Sequence, residues 1–101
     1  MQRLAIRTRL KPGCEEIYDR EHAVVPADLD EALRRHGVHV WRIWRDGLDL
    51  FHYVEVEDWA AFQAGMKHEP ADIAWQRQMN RLLDGDFDQE STGLRQVWEL
   101  G

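Results

Sequence analysis

At 101 residues and 12.0 kDa, with 44% hydrophobic and 32% charged residues, the chain has the size and composition of one folded domain rather than of a disordered segment. Thirteen basic against nineteen acidic residues leave a formal net charge of −6, and no basic run exceeds a pair such as Arg34-Arg35, which argues against nucleic acid or an anionic membrane as a partner. No apolar run approaches the roughly 18 residues of a membrane span, the N-terminal MQRLAIRTRL lacks a signal peptide's apolar core, and the single Cys14 offers no internal disulfide or zinc framework, so the expected location is the reducing cytoplasm.

In residues 3–10, Leu4, Ile6, Thr8 and Leu10 alternate with Arg3, Ala5, Arg7 and Arg9. This period of two describes a strand with unequal faces. Lys11-Pro12-Gly13 breaks it, and Pro12 suits the first position of a helix running to about His22. Pro26 biases Val25 out of helical geometry. Leu29, Ala32, Leu33 and His36 then mark one side of a second helix, which Gly37 ends as a C′ glycine. The segments VHVWRIWR (38–45) and LDLFHYVEV (48–56) are rich in aromatic and β-branched residues and flank the turn signal Arg45-Asp46-Gly47, which predicts a hairpin. Asp58 can cap a helix carrying Trp59, Phe62 and Met66, and Glu69-Pro70 opens another with Trp75, Met79, Leu82 and Leu83 as its apolar stripe. After the acidic loop DGDFDQESTG, the segment GLRQVWEL reads as a last strand.

The resulting order, β-α-α-β-β-α-α-β, folds most simply as a four-stranded antiparallel sheet with helices on one face. That is a ferredoxin-like α+β sandwich of the dimeric α/β-barrel type, with residues 1–101 as a single domain. The opposite sheet face must be hidden or used, because Trp41, Trp44, His52, Tyr53 and Trp98 are too aromatic to leave wet. A homodimer through the sheet is expected.

Tyr18 and His22 lie four residues apart on a helix, so their side chains neighbour each other and can converge on one small molecule. A packed phenol beside a hydrogen-bonded imidazole is the structural alternative. The charge change of histidine near neutrality supports the functional one. Among His22, His36, His39, His52 and His68 there is no HExxH spacing, and Gly37 separates the only close pair, so no metal site is expected. Neither a GxSxG elbow nor a glycine-rich phosphate loop is present, which removes the usual support for hydrolase, kinase and dinucleotide-enzyme readings. Trp44, Trp59 and Trp98 read as core or interface. Trp75 beside Gln76 sets a flat apolar ring next to an amide, a combination suited to a sugar with its C–H faces and hydroxyl rim.

Tyr18-x-x-x-His22, Val25-Pro26, Leu29, His36-Gly37, Trp75-x-x-x-Met79 and the C-terminal VWEL together resemble the L-rhamnose mutarotase family of small dimeric α+β proteins. The resemblance covers nearly the whole chain. It implies a cofactor-free isomerase that interconverts the α and β pyranose anomers of a monosaccharide, a 6-deoxy sugar and foremost L-rhamnose. His22 would be the catalytic proton donor, and Tyr18, Trp41, Trp75 and Gln76 would bind the sugar. Trp41 falls where the family has a tyrosine, Gln76 where it has a second tryptophan, and Val25 where a tryptophan often precedes the proline. These departures leave L-fucose as an alternative substrate. A haem- or quinone-type dimeric α/β-barrel monooxygenase and a non-catalytic ligand-binding module are the readings from other classes. Anomer exchange itself needs only a proton removed from the anomeric hydroxyl and one delivered to the ring oxygen, which an acid and a base around C1 and O5 supply.

Overall fold

The computed structural model describes all 101 residues. The elements are β1 (Gln2–Arg9), α1 (Glu15–Ala23), α2 (Ala27–Arg35), β2 (Val38–Asp46), β3 (Asp49–Val56), α3 (Trp59–Met66) and α4 (Pro70–Asn80). The three strands form one antiparallel sheet in the order β1-β3-β2, with Ile6 opposite His52 on one side of β3 and Ile43 opposite it on the other. Gly47, at φ 59°, makes the tight connection between β2 and β3.

The central strand shows why the sheet has an inside. Leu50, His52, Val54 and Val56 point one way and are buried, while Phe51 on the opposite face stays exposed. Leu50, Val54 and Val56 have no exposed surface at all, so each contributes on the order of 1.5–3 kcal/mol through burial. Over one half of this face, Leu29 and Ala32 of α2 and Trp59, Phe62 and Met66 of α3 pack on Ile6, Val38, Val54 and Val56. Over the other half, Tyr18 of α1 and Met79 of α4 join Leu10, Leu50 and Leu83. All four helices therefore cover the same side of the sheet, as the element order predicts.

Local signals act largely as read. The Asp58 side chain accepts the Ala61 N–H at 3.0 Å and caps α3. Gly37 closes α2 at φ 91°, in the left-handed region that a side chain disfavours. Pro12 does not begin α1: Pro12 and Gly13 form a turn with Gly13 at φ 88°, and the helix starts at Glu15. Leu82 and Leu83 follow α4 rather than belonging to it, and Leu83 bridges to Leu10.

The expected fourth strand is absent from this chain. The free edge of β1 is taken by two separate pieces of backbone. At the end of the strand Asp84 N–H donates to the Arg9 carbonyl, and at mid-strand Leu94 N–H donates to the Ala5 carbonyl. Beyond Leu94 the segment has nothing of its own chain to bury against, and Val97, Trp98 and Leu100 remain at least three-quarters exposed. The aromatic residues also divide differently from expectation. Trp41 and His52 face the helices, because neighbouring strand residues alternate, and the outer face keeps Trp44 and Phe51.

Candidate active site

A cavity of about 400 Å³ lies between the helices and the inner face of the sheet, within the roughly 300–1,000 Å³ usual for small-molecule sites. Its walls include all five residues singled out from the sequence: Tyr18 and His22 from α1, Trp41 from β2, and Trp75 and Gln76 from α4. The structure adds Thr8, His52 and Asp72 to the same walls.

Helical geometry sets His22. The backbone carbonyl of Tyr18, one turn earlier, accepts a hydrogen bond from Nδ1 at 3.1 Å. A carbonyl can only accept, so the proton on a neutral ring sits on Nδ1, and Nε2 carries the free lone pair. The ring packs against two others: Tyr18 at 4.0 Å between centroids and tilted by 32°, and Trp75 edge-on at 5.1 Å. Burial lowers the His22 pKa below the ordinary histidine value, outweighing its hydrogen bond to Tyr18 and the negative charges of Asp19 and Glu21. Burial, helped by the charge of Asp19, raises the Tyr18 phenol so that it stays protonated.

The acidic neighbours of His22 are committed elsewhere. Asp19 takes both nitrogens of an Arg45 fork at 2.9 and 2.8 Å, and Glu21 accepts from the Gln78 amide at 2.6 Å. Neither carboxylate makes a hydrogen bond to the imidazole. No group of three or more His, Cys, Asp or Glu side chains is placed to hold a metal ion.

A second histidine belongs to the cavity. The Trp41 indole N–H donates to Nδ1 of His52 at 3.1 Å. Nε2 of the neutral ring therefore bears the hydrogen and donates to Thr8 Oγ1 at 2.9 Å. With its oxygen accepting from His52, the Thr8 hydroxyl is left to donate its own hydrogen. Burial, with the nearby charge of His22 second, pushes the His52 pKa down to about 4. Trp41 thus spends its N–H inside the wall and offers the cavity only its ring, which also packs on Trp59 and Phe62. Trp75 presents its ring beside His22. Gln76, one position on, turns its amide to Asp72 at 3.3 Å.

The fold and cavity define a small α+β protein with a pocket walled by aromatic rings, histidines and polar side chains. A sequence model described as L-rhamnose mutarotase matches residues 3–100, and the chain belongs to the L-rhamnose mutarotase family. It is 35% identical over 104 aligned residues to the L-rhamnose mutarotase of Opitutus terrae, covering 99% of each chain. With the L-rhamnose mutarotase of Pectobacterium carotovorum it again shares 35% over 99% of each chain. The fold is similar to the crystal structure of the L-rhamnose mutarotase from Formosa agariphila, with a TM-score of 0.80, 20% identity and complete coverage of both chains. It is also similar to tetracenomycin F2 cyclase from Streptomyces glaucescens, with a TM-score of 0.68 at 18% identity, covering 100% of this chain and 97% of that one.

The depressed His52 pKa has a consequence for stability. Between pH 6.5 and about 4 the unfolded chain protonates this histidine and the folded chain does not, so its contribution is complete above pH 6.5 and declines as the pH falls. Urea-unfolding free energies should drop by up to roughly 3 kcal/mol more in the wild type than in His52→Gln across that window. Parallel pH profiles would mean that His52 ionises as freely in the fold as in water.

Proposed function

We propose that this chain is an L-rhamnose mutarotase in which His22 carries the proton for anomer exchange. Membership of the family supports the reaction. The single observation that supports the residue is the Nδ1 bond to the Tyr18 carbonyl, which leaves Nε2 as the free nitrogen of a cavity-lining imidazole.

The chemistry needs one shuttle. Neutral Nε2 takes the proton from the anomeric hydroxyl as the C1=O1 bond forms and the C1–O5 bond breaks. The imidazolium then returns that proton to O5, giving the open-chain aldehyde. Rotation about C1–C2 presents the other carbonyl face, and the reverse steps close the ring as the opposite anomer. Both oxygens are bonded to C1, so one imidazole serves both. The donation to O5 is the proton-donor role, and it requires no second carboxylate, consistent with Asp19 and Glu21 being paired elsewhere. The Tyr18 phenol, protonated throughout, grips a sugar oxygen. Trp75 covers a C–H face, and Trp41 contributes apolar wall.

The functional unit in this reading is a homodimer. Trp44 and Phe51 on the outer sheet face, and Val97, Trp98 and Leu100 beyond it, are the apolar surfaces a second copy would cover. The unpaired Cys14 suits a reducing compartment, and the reading places the enzyme in the cytoplasm.

Exchange NMR on the anomeric protons of L-rhamnose tests the assignment. His22→Ala should slow exchange per folded protein by at least about a hundredfold, whereas Tyr18→Phe should cost less and weaken sugar affinity as well. Near-wild-type exchange in folded His22→Ala would remove His22 from the chemistry. Light scattering at micromolar concentration should return twice the 12.0 kDa chain mass; the single-chain mass would contradict the dimer.

A further inference from the structure

Asp72 is a buried charge that the fold does not satisfy. It stands in the first turn of α4 and is only 5% exposed. A carboxylate at this place in a helix can reach back to the N–H of the capping residue, but the Glu69 N–H is already bound to the Met66 carbonyl at 3.1 Å. No backbone N–H donates to Asp72, and its one partner is the Gln76 amide on Oδ1, at a long 3.3 Å. Oδ2 has no hydrogen bond within the chain. No fully enclosed side-chain oxygen or nitrogen lacks a partner anywhere in the protein, so Oδ2 reaches open space, and the space beside Asp72 is the cavity.

Burying a carboxyl without adequate partners opposes folding, and burial indeed raises the Asp72 pKa, with the Gln76 bond only partly countering it. The group is therefore more intelligible as a binding element than as a structural one. Everything it lacks is a hydrogen-bond donor arriving from the cavity side. Gln76 completes the arrangement: with one amide hydrogen on Asp72, its carbonyl oxygen and second hydrogen stay available.

We propose that Asp72 and Gln76 form a subsite for a ring hydroxyl of the sugar, with Asp72 Oδ2 accepting the hydroxyl hydrogen. This rests on the sugar reading given above and adds a specificity determinant to it. His22 acts at C1 and O5 in the reading above, so the ring hydroxyls left for this subsite are those at C2, C3 and C4. The substrate class is then an aldose that directs a hydroxyl, rather than the C6 methyl, toward α4.

The test compares L-rhamnose with its 2-, 3- and 4-deoxy analogues in wild type, Asp72→Ala and Asp72→Asn. Wild type should discriminate against one analogue by about 10- to 100-fold in kcat/KM, as for a hydrogen bond to a charged group. Asp72→Ala should process that analogue and L-rhamnose at similar, low efficiency, with the loss mainly in KM, and Asp72→Asn should lie between. Melting temperature separates the structural alternative, because removing an unsatisfied buried carboxyl should leave it unchanged or higher. A lower melting temperature with discrimination intact would overturn the subsite. Ligand-observed NMR binding of the same sugars gives the comparison without turnover. A selectivity that depends on Asp72 in binding, in a wild type that exchanges no anomers, would sustain the subsite and reject the mutarotase reading. Equal sugar binding by wild type and Asp72→Ala would reject the subsite.

Discussion

The hydrogen bond from His22 Nδ1 to the Tyr18 carbonyl decides which end of the imidazole can react. It is made within one turn of α1, so it needs no distant residue to form. The tertiary fold then supplies the environment: contacts with the Tyr18 and Trp75 rings, and enough burial to keep the imidazole neutral near pH 7. A neutral ring with a free Nε2 can start the exchange by accepting a proton, and it becomes the acid only after doing so. In the proposed shuttle the same nitrogen is base and then donor, so it needs no carboxylate partner, and Asp19 and Glu21 are bonded to Arg45 and Gln78.

The cavity walls follow a common physical rule. A polar group placed in an apolar interior is either satisfied within the chain or takes its partner from water or a ligand. His52 is the first kind: both ring nitrogens are engaged, by Trp41 and Thr8, and burial makes the ring difficult to protonate. Asp72 is the second kind, with one long bond to Gln76 and an oxygen left over. The contrast separates a framework group that shapes the cavity from one whose partner comes from outside.

Much of this is legible in the sequence because it depends on local periodicity. The four-residue spacing of Tyr18 and His22, the alternation in β3 and the capping signals at Asp58 and Gly37 all correspond to structure formed by neighbouring residues. The signal for His52 and Thr8 was present too: each is a polar residue at an inward position of a strand whose other inward residues are apolar. That alternation, rather than aromatic content, is what places His52 on the inner face. Asp72 gives no such sign, since an acidic residue in the first turn of a helix is ordinary, and only packing reveals that it faces a cavity. The C-terminal strand misled for a related reason. An alternating apolar segment has strand character, but a strand also needs a sustained ladder, and within one chain this segment makes a single bond to the edge of β1, from Leu94 to Ala5, before it departs.

The pH dependence of kcat/KM for L-rhamnose anomer exchange, corrected for the spontaneous reaction, tests the central claim most directly. A shuttle that begins with neutral His22 requires full activity above the His22 pKa and a single ionisation below the ordinary histidine value of 6.5, with activity lost as the pH falls through it. An activity that rises on acidification, or a bell with a second ionisation near neutrality, would mean that the reaction starts from a protonated acid with a separate base, and would contradict the single-histidine account.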